Sequence, residues 1–148
     1  MSLLFETYTH KGNEFLNHVS SFLTIKEKSR SGRITRCVLK TLRDRLTHAE
    51  SLQLLAQLPM AIKALYVDGW KYSEKPNKIK TMQEFIDEVI RTDGNSAWKD
   101  FSSEEEVIEG INAVFKTLAI YVSPGEIEDV MAVLPRELKI MLTESIMY

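Results

Sequence analysis

Apolar residues recur along this chain at intervals of three and four, and no segment alternates strictly between apolar and polar positions. The first rhythm lines one face of a helix; strict alternation, the mark of a half-buried strand, is missing. Phe15, Leu16, Val19, Phe22 and Leu23 predict a helix over 13–24, and Ile34, Cys37, Val38, Thr41 and Leu42 a second over 32–45. Leu52, Leu55 and Ala56 are the expected inner face of a third, with Leu54 pointing elsewhere. Ile62, Leu65 and Tyr66 mark a fourth, from Pro59 to a stop at Asp68-Gly69. The remaining four are marked by Met82 to Ile90, Val107 to Leu118, Ile127 to Leu134, and Leu138 to Leu142. The expected fold class is all-α: eight helices as two repeated four-helix halves sharing one hydrophobic core, in a single domain.

The halves are expected at 13–70 and 82–142, with a linker at about 70–78. From Val38–Tyr66 to Val114–Leu142, an offset of seventy-six positions leaves nine residues identical, among them Lys40, Thr41, Leu42, Leu58 and Pro59. Helix punctuation repeats with them. Thr47 and Glu50 have capping-box spacing, as do Ser123 and Glu126, and Ser103 and Glu106. Pro124 suits a first helical position, where its missing N–H costs nothing. Pro59 and Pro135 each end one helix and pre-set the next, so helices of eleven residues are expected between cap and proline. Such a repeat reads as two similar units burying their apolar faces on one another. A longer connector, Arg91 to Ser102, interrupts the second copy and holds Trp98 and Phe101.

Leu42-Arg43-Asp44-Arg45-Leu46, Gln57-Leu58-Pro59-Met60, the stretch from Tyr66 to Trp70, and Ser123 to Val130 carry a resemblance. Over roughly 13–142 the chain resembles the bacterial domain-of-unknown-function family 2267. The resemblance implies an all-helical, cytoplasmic, bacterial protein and supplies no activity, cofactor or catalytic residue.

Composition fits this picture. Apolar residues at 44% and charged residues at 27% of 148 are ordinary for a globular protein. The single Cys37 excludes an internal disulfide and a cysteine-based zinc site. Met1 to His10 lacks the basic start and apolar centre of a signal peptide, and no run reaches a membrane span. The net charge of −2 hides an asymmetry: residues 1–76 carry 12 basic against 7 acidic side chains, residues 77–148 carry 7 against 14.

Candidate chemistry is sparse. Arg30, Arg33, Arg36, Lys40 and Arg43 are expected on the face of the second helix opposite its apolar stripe, where side chains three and four apart contact successive phosphates. The plainer reading is a solvated face with salt-bridge partners, and an isoelectric point near 6.0 favours it. Glu106 and Glu109, the second-half counterparts of Arg30 and Arg33, suggest pairing between halves. Trp70, Tyr72 and Trp98 are candidate contact residues for a protein partner; the plainer reading is that they pin loops to the core. Asp44-Arg45 resembles a local ion pair, and Glu104-Glu105-Glu106 an acidic helix start rather than a metal site. His10, His18 and His48 form no ligand or catalytic pattern, and no phosphate loop or nucleophile elbow occurs. The expectation is a non-catalytic binding or adaptor protein working through a protein surface, with no metal and no cofactor. The alternatives are a binder of nucleic acid or anionic surfaces, and an enzyme with an unrecognised site.

Overall fold

The structure, a computed structural model, describes residues 3–71 and 78–147, so Tyr72 and most of the expected linker lie outside the described residues. Among the described residues there is no strand, and eight helices of eight residues or more make up the architecture. They are α1 (Leu3–Ser21), α2 (Lys28–Arg43), α3 (His48–Leu55), α4 (Met60–Val67) and α5 (Met82–Asp93), then α7 (Glu104–Tyr121), α8 (Pro124–Ala132) and α9 (Arg136–Met147). The long connector is itself helical: a 3-10 turn (Gly94–Ser96) runs into a single-turn helix, α6 (Ala97–Asp100). Gly94 makes the turn out of α5 with φ of +66°, a left-handed conformation that side chains with a Cβ resist.

Helix boundaries depart from expectation where packing overrides pattern. α1 begins at Leu3 rather than near Asn13: its first turns are largely exposed and so carry no apolar stripe, and burial starts at Gly12, where the helix crosses α4. A Cβ on Gly12 would come within 2.6 Å of the Ala61 Cβ, so this crossing admits glycine alone. α3 and α8 have eight and nine residues rather than eleven. The chain tightens before each proline, with Gln57 and Leu58 donating to carbonyls only three residues back. Pro59 is the cap preceding α4, while Pro124 stands at the start of α8 as expected. Thr47 and Glu50 form a complete capping box; Ser123 and Ser103 accept from the backbone of Glu126 and Glu106 without the reciprocal bond. Gln57 takes that place at Ser123, its Oε1 accepting from the Ser123 N–H at 2.7 Å.

The inner face of α3 differs from the periodic reading. Leu52 is 63% exposed and Ala56 is exposed, while Leu54 is fully buried beside Ser51 and Leu55. The buried hydroxyl of Ser51 shares a 2.6 Å hydrogen bond with the Tyr66 hydroxyl, so a polar residue sits on the inward face and apolar counting misplaces it. Phe22, expected inward, is also partly exposed.

α2 and α7 pack against each other at the centre. α1 lies on α2, α4 and α7; α5 lies on α2, α7 and α9; α3 meets α8. Thr41 in α2 and Thr117 in α7 are both buried, and each donates to the carbonyl four residues back at 2.8 Å. The buried apolar residues of all these helices form one continuous cluster. α2 has neighbours in α1, α4, α5, α6 and α7, so most of its perimeter faces protein.

Candidate functional site

The crowding of α2 decides the fate of its basic residues. A guanidinium placed among helices must be paired or hydrogen-bonded, because burial of an uncompensated charge is costly. Arg30 is 2% exposed; it donates to the carbonyls of Asp100 (3.0 Å) and Ile25 (3.1 Å) and pairs with Glu106 at 3.3 Å. Arg33 grips the buried Asp100 carboxylate with two nitrogens, at 2.9 and 2.8 Å. Arg43 is buried and donates to the carbonyls of Tyr66 (2.9 Å) and Asp68 (3.0 Å). The expected outer stripe is therefore largely an inward face. Pairing between halves is real at Arg30 and Glu106. Arg33, however, takes Asp100, and Glu109 instead accepts from the backbone and hydroxyl of Thr24. Asp44 pairs with Arg43, not Arg45, whose guanidinium reaches the Val133 carbonyl at 2.8 Å.

Two members of the stripe remain. Arg36 is half-buried and has no ion-pair partner within reach among the described residues. Lys40 is buried, with the Asp68 carboxylate 3.8 Å away. Burial and then the Arg36 charge hold its pKa below the usual lysine value.

The carboxylates opposite α2 carry the strongest electrostatics. Burial alone would raise the Asp100 pKa, but Arg33 outweighs it and keeps this carboxyl ionised. Its neighbour Asp93 is pushed up to about 7, first by burial and then by the nearby Asp100 carboxylate. Glu106 is held below its usual range chiefly by the Ser102 hydroxyl. Sequence reasoning missed Asp93 and Asp100; their only signal is acidic residues in an insertion within a chain whose other half is rich in arginine.

The candidate aromatic residues divide. Trp70 is half-buried against the core, edge-on to Tyr66 at 5.9 Å, 5.4 Å from His48 and under the Arg43 guanidinium at 6.0 Å. It pins the end of α4 in place. Trp98 does the opposite and stands 79% exposed. The bonds of Arg30 and Arg33 to Asp100, together with burial of Phe101, fix the single turn that displays it.

Beside α9 runs an apolar surface that the periodic reading did not reveal. A groove of about 400 Å³ between α8 and α9 is lined by Ile127, Glu128, Met131, Lys139, Thr143 and Ile146. Ile146 also borders a second cleft, of about 300 Å³, with Phe22, Lys116 and Ile120. Lys116 lies over the Phe22 ring at 5.3 Å. Elsewhere, Cys37 is fully buried, and burial pushes its thiol pKa up, which makes it a small core hydrophobe rather than a nucleophile. No group of three metal-ligating side chains occurs among the described residues, and no helix there is long and apolar enough to cross a membrane.

The sequence model of a family described as an uncharacterized conserved protein (DUF2267) matches residues 12–141. No curated protein matches the chain.

Proposed function

The chain belongs to the DUF2267 family, and from that premise we propose that it is a non-catalytic adaptor that binds a protein partner through Trp98. The observation that carries this reading is the exposure of Trp98 on a turn fixed to the core by the Asp100 ion pair. An indole displayed on an anchored turn brings a large apolar area to a partner without the need to order the backbone that carries it, and tryptophan is enriched among interface hot spots. The apolar clefts along α9 add contact surface of the same kind. A cytoplasmic location and a fold made of two related halves belong to the same proposal. Identical threonine bonds in α2 and α7 support the second part.

The test is comparative capture by full-length chains. Trp98→Ala is expected to lose the proteins that the parent retains, whereas the charge reversal Arg36→Glu keeps them. Identical retention by the parent and Trp98→Ala would remove this reading. The anionic-surface alternative rests on Arg36 and Lys40, the members of the stripe with least compensation. It requires duplex or single-stranded nucleic acid to bind at low salt and to be released by Arg36→Glu.

A further inference from the structure

The residues that line the groove between α8 and α9 have sequence counterparts in the first half of the chain. Seventy-six positions earlier, Ile127, Met131, Lys139, Thr143 and Ile146 correspond to Ser51, Leu55, Lys63, Val67 and Trp70. Among and beside those counterparts stand two aromatic rings: Tyr66, bonded to Ser51, and Trp70, packed edge-on against Tyr66. In the second half Tyr66 becomes Leu142 and Trp70 becomes Ile146. The second half has no ring at either position, and Ile146 lines a groove of about 400 Å³.

We propose that this groove receives Trp98 of a second copy of the chain. The inference rests on the reading of Trp98 as a contact residue and names what it contacts. The groove offers what an indole needs: apolar walls in Ile127 and Ile146, the Met131 thioether, and the Glu128 carboxylate as acceptor for the ring N–H. Lys139 at the edge supplies a cation for the ring face, as Lys116 does for Phe22. Charge is complementary. Exposed Lys99 follows Trp98, the adjacent Asp100 is neutralised by Arg33, and exposed Asp129 stands beside Glu128 on α8. Each copy carries one exposed indole and one such groove, so a reciprocal exchange closes into a two-fold pair.

Light scattering of the full chain across a concentration series tests this. The expected result is a mass that doubles with concentration. Trp98→Ala weakens the association by about thirty-fold or more, the effect of truncating a hot-spot residue. Ile146→Trp, which restores to the second half the indole that the first half has, blocks the groove from within. It abolishes the pair while keeping the parent helical circular dichroism. A second measurement does not depend on folding of any variant: N-acetyl-tryptophanamide added to the parent shifts the Met131 methyl resonance saturably and dissociates the pair. A chain that stays monomeric at every concentration overturns the proposal, and so does a Met131 signal indifferent to the indole. If Trp98→Ala dissociates the pair and folded Ile146→Trp does not, Trp98 docks elsewhere. The groove assignment then falls while the adaptor reading stands.

Discussion

At the scale of single residues, the electrostatic centre is Asp100, a fully buried carboxylate held by Arg33. Removing one partner of a buried pair leaves the other uncompensated, which costs more than the pair contributes. Asp100→Ala is expected to lower stability by about 3 kcal/mol, read from urea unfolding. Asp93 gives the pH dependence. Folding lifts its pKa from 3.8 to about 7, so the folded chain keeps a proton that the unfolded chain releases. Stability from this group is full below about pH 4 and is lost as pH rises through 7. Asp100 and Glu106, whose values are lowered, act oppositely: their contribution is present above the ordinary carboxylate range and is lost in acid. Asp93→Asn should therefore flatten the decline between pH 4 and 7 and be more stable than the parent at pH 8. An unchanged profile would contradict the Asp93 assignment. Neither aspartate was legible in the sequence, because the partner that defines each lies on another helix.

At the scale of elements, the helices themselves were legible and their ends less so. Thr47 and Glu50 announced the start of α3 because a capping box is a local interaction, complete within four residues. The start of α1 was hidden because its first turns are largely exposed and leave no apolar stripe to read. Gly12→Ala tests the crossing of α1 and α4 that follows them. Alanine favours an isolated helix by about 1 kcal/mol over glycine. Here its Cβ would meet Ala61 at 2.6 Å, and overpacking of this kind costs about 1–3 kcal/mol. The clash is expected to win, so thermal denaturation should show a lower midpoint for Gly12→Ala. A higher midpoint would mean that α1 and α4 separate without penalty. The face of α3 shows the same limit, since Ser51 is turned inward by Tyr66, fifteen residues away in sequence.

At the scale of the whole molecule, one core runs through all eight long helices, and α2 and α7 meet at its middle. The charge asymmetry between the halves is partly consumed inside, where Arg30 and Arg33 of the first half hold Glu106 and Asp100 of the second. Neither half can unfold without baring the apolar and ionic face of the other. Calorimetry is expected to show one transition with equal calorimetric and van't Hoff enthalpies. Two separable transitions would show that the halves are independent.

What the sequence by itself determined is the helical class, the number of long helices, and the main apolar stripes of α2, α5, α7 and α8. These follow from periodicity and capping, which act within a few residues. What only the tertiary structure decided is which helix is central, and with it the roles of Arg30, Arg33 and Arg43 on α2. A helix covered on one side can solvate its charges; a helix covered on nearly all sides must pair them. The exposure of Trp98, the anchoring of Trp70 and the groove beside α9 were settled by the same packing, because each depends on what a distant helix leaves uncovered.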